Sequence, residues 1–224
     1  MGKSGRNSAG QPIGPALLLL VGIPACFGEE STVFPPGLEP LEANTAPPIQ
    51  PVDGDPYPEV FSFAKGQRPD HYYGHARAYV KADLATTWAA LRTPEVSVDR
   101  RQVDEWTVGE GTDPAYAHSY VVHNVVRRVV TLRFDVSWRH DVARGTPEAP
   151  EVIAGAWQKT FGSTLIAELK GTLSAEEVAP GVTEVQLIQH LDALQGGADP
   201  IESFLTDYYQ SLKAKAHGEP LPTY

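Results

Sequence analysis

Apolar and polar residues alternate with a period of two through much of the chain, most cleanly over residues 130–139. Val130, Leu132, Phe134, Val136 and Trp138 fall on one side; Thr131, Arg133, Asp135, Ser137 and Arg139 fall on the other. A period of two with one apolar face describes an antiparallel strand lying on a core. The pattern predicts strands over Tyr73–Ala82, around Glu105–Val108, and over Tyr116–Val126, Arg128–Asp141, Val152–Thr160, Thr164–Val178 and Val182–Leu191. Pro180-Gly181 supplies a hairpin turn between the last two strands.

Two segments follow a helical period instead. After the cap residue Asp83, Leu84, Trp88 and Leu91 recur at helical spacing, and Pro94 stops the run. Near the C-terminus, Asp199 is expected to cap a long helix, with Pro200 in its first position and Glu202 completing a capping box. Ile201, Phe204, Leu205, Tyr208 and Leu212 form one apolar stripe, and Gly218 ends the helix behind Lys213, Lys215 and His217. A stripe of that length must be buried, and the apolar face of the sheet is the surface available to it.

The N-terminal part reads differently. Lys3 and Arg6 precede a short apolar run, Ala16 to Ile23, followed by Pro24, Ala25 and Cys26, the chain's single cysteine. A basic start, a short apolar core and a small residue at the cut describe a secretory signal peptide over residues 1–25. A span needs roughly twenty apolar residues, so this run is too short to cross a bilayer. The tetrad Ile23-Pro24-Ala25-Cys26 resembles the lipobox of bacterial lipoproteins, although Pro24 departs from the usual pattern. The resemblance implies cleavage before Cys26 and acylation of that residue. The resulting anchor would hold the chain to a membrane, with Phe27 favouring the outer one. Residues 26–70 are rich in proline and acids and are expected to form an extended tether, with the aromatics of Tyr57–Phe63 able to pack on the folded body.

Charge narrows the partners. The chain carries 18 Lys and Arg against 28 Asp and Glu, a net charge of −10. Removal of Lys3 and Arg6 with the signal leaves 16 bases against 28 acids, near −12. Such a surface repels nucleic acid. One cysteine makes no internal disulfide, so stability must come from a hydrophobic core.

The order of elements, strand, short helix, a run of antiparallel strands and a long terminal helix, resembles the START-like or Bet v 1-like helix-grip superfamily. The superfamily includes polyketide cyclase-type proteins and lipid carriers. The residues that carry the resemblance are Val80 to Leu91, where a strand runs into a helix bearing Trp88, with Lys159–Leu173, Gly181–Val185 and the closing helix. The resemblance implies an α+β domain over residues 71–218, followed by a tail over 219–224. In it, a curved antiparallel sheet of about six or seven strands grips the long C-terminal helix. It also implies a hollow between them for a hydrophobic small molecule or lipid. The residues expected to line it are Tyr120, Val122, Leu132, Phe134, Val136, Trp138, Trp157 and Gln189 from the sheet, with Phe204, Leu205 and Tyr208 from the helix. Each of these would serve equally as ordinary core.

The chemistry on offer is sparse. His140, in Trp138-Arg139-His140-Asp141, is a candidate general base at the hollow's mouth, with a solvent-exposed strand end as its plainer role. His71 and His75 are four apart but straddle the linker edge and a strand, so they are not expected on one face, and His118 and His123 point to opposite faces of one strand. No nucleophile elbow, phosphate loop, Cys-x-x-Cys or paired-histidine zinc signature appears. No catalytic residue, metal or cofactor is expected, and the chain is expected to be monomeric. A carrier of an apolar ligand is therefore the leading expectation. A cyclase- or hydrolase-type enzyme and a tethered interaction module without ligand stay open beside it.

Overall fold

The computed structural model describes residues 28–111, 113–194 and 196–224. The expected signal peptide and Cys26 lie outside the described residues. Strands β1 (Glu29–Ser31), β2 (Phe61–Gln67) and β3 (Tyr72–Val80) precede helix α1 (Leu84–Leu91) and a 3-10 turn, Pro94–Ser97. Then come β4 (Glu105–Glu110), β5 (His118–Arg127), β6 (Thr131–Gly145), β7 (Pro150–Ser163), β8 (Ile166–Ala179), β9 (Val182–Ala193) and helix α2 (Ala198–Ala216).

The strands form one curved antiparallel sheet in the order β2-β3-β9-β8-β7-β6-β5-β4. From β4 to β9 each strand pairs with its neighbour in sequence, as the regular alternation requires. β1 joins separately: β8 stops pairing with β7 at Gln158, and Glu29–Ser31 then pair with Phe161–Ser163. Register shifts in β6 between Asp135 and Val136, and again near Arg144, mark bulges of the kind that bend a strand. The sheet thereby gains a concave face.

On that face Ala76, Ala78, Val80, Val185 and Leu187 are buried against Ile201, Leu205, Tyr208 and Leu212 of α2. Close approach depends on Gly74, where a Cβ would lie 2.5 Å from the Ile201 side chain. Asp83 caps α1 as its sequence implies, its carboxylate accepting from the Thr86 N–H at 2.7 Å. The start of α2 differs from expectation: Gly197 takes the capping position and Asp199 falls in the first turn. Its carboxylate is drawn off by Lys65 Nζ at 2.6 Å, while still lying at the positive end of the helix dipole.

The described part of the expected tether does not extend away from the body. β2 completes one edge of the sheet on β3, β1 lies on β7, and Phe34 and Ala46 are buried. Hydrogen bonds between the strap and the outer side of the sheet explain this. Thr172 Oγ1 accepts from the Leu41 N–H at 3.2 Å, Asn44 Nδ2 donates to the Ala76 carbonyl at 2.9 Å, and Arg77 donates to the Ala46 carbonyl at 3.2 Å. A proline-rich strap has few N–H groups to satisfy, so this small number of bonds suffices to dock it.

Candidate functional site

Helix α2 packs chiefly over β3 and β2, at one side of the concave face. Helix α1 and the 3-10 turn reach parts of β7, β8 and β5, and the remaining space in front of β5–β8 is not filled. A cavity of about 440 Å³ remains there, within the range of about 300–1,000 Å³ typical of small-molecule sites. Its lining runs from Trp157, almost wholly buried, to Val129 and Leu194, which are 98% and 73% exposed. The cavity thus connects the interior with the surface, opening between the β5–β6 turn, the Asp99–Val103 loop and the residues ahead of α2.

Of the residues expected at such a hollow, Val122, Leu132, Phe134, Val136, Trp138, Trp157, Gln189 and Phe204 line the cavity. Tyr120, Leu205 and Tyr208 do not line it; they support the residues that do. Tyr120 is bonded through its hydroxyl to Ser97, itself a lining residue, and stacks at 6.0 Å on Trp138. Tyr208 stacks on Trp138 at 5.7 Å with planes only 2° apart, and Leu205 is fully buried on the helix stripe. Asn124, Asp99 and Gln102 add polar lining outside the expected set.

Polar atoms in this wall are unevenly satisfied. Asn124 Nδ2 donates to the Val122 carbonyl at 2.9 Å. Gln189 Oε1, Trp138 Nε1 and Trp157 Nε1 are buried with no hydrogen-bond partner among the described residues. Such orphans are uncommon in folded proteins and are costly unless a bound molecule supplies the partner. At the outer part of the cavity, burial and the nearby Asp207 carboxylate push Asp99 up to about 6.

His140 is neither at the mouth nor at an exposed strand end. β6 continues to Gly145, which places His140 well inside the strand, fully buried among Trp88, His118, Tyr120 and Trp138. Burial, with a smaller contribution from His118, holds its imidazole down at about 3. Both ring nitrogens lack a partner among the described residues, and His140 does not line the cavity. A group so placed reaches no molecule held there, so it is not the general base that its sequence position suggested.

The convex face carries a second polar cluster. Glu42, on the docked strap, accepts through Oε1 from His75 Nε2 at 3.0 Å and from His190 Nε2 at 2.9 Å, while Arg68 pairs with its other oxygen. Thr45 N–H donates to His75 Nδ1 at 2.9 Å, which puts the His75 proton on the nitrogen facing Glu42. Burial raises the Glu42 carboxyl, but the His190 and His75 bonds and the Arg68 charge outweigh it, leaving it below the ordinary carboxylate range. His71 stacks on His190 with ring centroids 4.2 Å apart, and Glu168 lies beside both. The expectation that His71 and His75 do not share a face is corrected: His75 and His190 meet at Glu42, and His71 stacks on His190, all on the convex face. The juxtaposition of three distant segments left no local signal that could have revealed the cluster.

No family model matches the sequence, and no curated protein matches it. Solved structures of similar arrangement include the Zhui aromatase/cyclase from Streptomyces sp. R1128, at 13% identity and a TM-score of 0.46 over 66% of this chain and 92% of that one. The lipid transfer and protein localization domain of human StarD13 gives 12% identity and a TM-score of 0.48 over 71% and 85% of the two chains. Human StAR-related lipid transfer protein 5 gives 11% and 0.47 over 72% and 84%.

Proposed function

We propose that this chain binds a hydrophobic or amphipathic small molecule in the cavity between the curved sheet and α2. The observation that carries the reading is the cavity itself: about 440 Å³, walled by Phe134, Trp138, Trp157 and Phe204, and continuous with the surface. Burying apolar ligand surface there contributes about 25 cal/mol per Å². The unpartnered indole N–H groups of Trp138 and Trp157 and the Gln189 carbonyl suit a ligand that is mainly apolar but carries a hydroxyl or carbonyl. The role follows as binding or carrying such a molecule. Native mass spectrometry of the purified protein tests it: a co-purifying small apolar molecule released on unfolding supports the reading. A chain that is ligand-free and takes up no lipid on incubation opposes it.

The sequence Ile23-Pro24-Ala25-Cys26 supports attachment of this binding body to a bacterial membrane, the outer one favoured, through an acylated Cys26. Two or more acyl chains, each worth about 0.8 kcal/mol per buried methylene, hold such a protein firmly. Among the described residues no helix is long and apolar enough to cross a membrane. Metabolic labelling with a radioactive fatty acid checks the attachment: label present in the native chain and lost in Cys26→Ser supports it, and an unlabelled native chain contradicts it.

A further inference from the structure

His71, Glu168 and His190 bring one ligand atom each to within 4.8 Å of the others on the convex face of the sheet. The three come from different places in the chain: the approach to β3, the start of β8 and the end of β9. His71 Nε2, Glu168 Oε1 and His190 Nδ1 are all buried, and all lack a hydrogen-bond partner among the described residues. His190 Nδ1 and Glu168 Oε1 are 3.9 Å apart, too far for a hydrogen bond.

The far side of each group is occupied in a way that leaves its near side electron-rich. His71 Nδ1 faces Asp70 Oδ1 at 2.9 Å, and His190 Nε2 faces Glu42 Oε1 at 2.9 Å. The hydrogen bond to Glu42 holds the His190 proton on Nε2 and turns its Nδ1 lone pair inward, and the Asp70 carboxylate beside His71 Nδ1 favours the same arrangement in that ring. Glu168 Oε2 accepts from Lys170 Nζ at 2.9 Å, which leaves Oε1 for the centre. Three lone pairs facing one another in a buried space repel and go unsatisfied unless a cation lies between them.

We propose that His71, Glu168 and His190 form a binding site for a divalent transition-metal cation of the zinc type. Two imidazoles and one carboxylate make a donor set that suits Zn²⁺ and leaves a further position for water. The Glu42 carboxylate behind His190 is the kind of outer partner that orients histidine ligands in metal sites. Ligand atoms around a tetrahedral zinc at about 2.1 Å stand about 3.4 Å apart, so closing on the ion requires movements of roughly 1 Å. Glu168, with its side chain 34% exposed, gives the ion a way in. The bound cation would fasten the approach to β3 onto the β8–β9 hairpin, and through the Glu42–His190 bond onto the docked strap. Its position next to Gln189 and Leu191, which line the cavity from the opposite face of β9, makes it part of the cavity's framework.

The test uses the full chain carrying Cys26→Ser, so that the thiol contributes no ligand, stripped of metal and titrated with Zn²⁺ and with Co²⁺. The expected result is one equivalent bound, a rise in melting temperature, and a Co²⁺ absorption spectrum of nitrogen and oxygen ligation. Substitutions His71→Ala and Glu168→Gln should each weaken binding at least ~10-fold, and Glu42→Gln should weaken it by about 10–100-fold through the outer partner. His123→Ala, on an exposed histidine elsewhere, should leave binding unchanged. Should any buried-histidine variant fail to fold, Glu168→Gln, at a partly exposed position, carries the test. Zn²⁺ binding weaker than about 10 µM in the parent, or parental affinity in both His71→Ala and Glu168→Gln, would overturn the site.

Discussion

Trp138 and Trp157 are register partners across β6 and β7, their rings stacked with centroids 4.8 Å apart and planes 19° from parallel. Phe204 of α2 packs on both, at 6.5 and 6.0 Å, so this pair is where the sheet wall of the cavity meets the helix. Trp157 lies over its β8 partner Gly171, where a Cβ would stand 2.0 Å from its Cζ2 and 2.6 Å from the Ile188 carbonyl oxygen.

Gly171→Ala should therefore force the Trp157 ring out of place. A cost of about 1–3 kcal/mol in unfolding free energy is expected, as for other overpacked cores. Chemical denaturation measures it, and a shifted tryptophan emission maximum in the folded state reports the displaced ring.

Gln189→Leu addresses the polar orphan in the cavity wall. Removing a buried amide whose oxygen lacks a partner should leave the ligand-free protein at least as stable as the parent, by up to about 1 kcal/mol. The same change should weaken a hydroxylated apolar ligand more than a pure hydrocarbon of equal size. Paired titrations with the two ligand types check this.

His140 gives a pH dependence of definite sign. Its ordinary value of 6.5 holds in the unfolded chain, while burial keeps the folded imidazole neutral down to about 3. Between those values the unfolded state binds the extra proton, so stability is lost as pH falls, at about 1.4 kcal/mol per unit from this group. Asp99 works in the opposite sense between its ordinary 3.8 and about 6, because there the folded state holds the proton. The parent should thus lose stability less steeply within that shared window than His140→Leu comparison alone implies. The difference between parent and His140→Leu should still carry the full slope from 6.5 to 3. Unfolding free energies measured across that range check the difference.

Glu42 joins residues far apart in sequence, reaching His75 and His190 from the strap. Glu42→Ala should cost about 2 kcal/mol or more, since it leaves two largely buried imidazoles without their acceptor. It should also raise the susceptibility of the 32–60 segment to protease. Limited proteolysis beside a denaturation curve reads both.

The strands from β3 to β9 and the C-terminal helix were legible because each buries one face, and burial writes its period into the sequence. β1 and β2 were not. Glu29–Ser31 is too short to show a period, and Phe61–Gln67 lies among prolines that suggested an unstructured chain. The alternation of Val130–Trp138 told which side chains face inward, but not which of them the helix would cover. That depends on where α2 settles across the sheet, which is why Tyr208 and Leu205 proved to support the cavity rather than line it. His190 sits on the polar register of β9, where sequence predicts exposure; the strap that buries it comes from 148 residues away. His140 misled for a related reason, since the end of β6 was placed several residues too early.

The cavity claim is tested most directly by titrating the protein with a fluorescent fatty acid, in parallel with a variant in which Leu132→Trp and Val136→Phe fill the space. Saturable one-to-one binding by the parent, weakened at least ~10-fold in a filled variant that unfolds at the parental denaturant concentration or above, is the predicted result. An absence of binding by the parent, or equal affinity in the folded, filled variant, would contradict it.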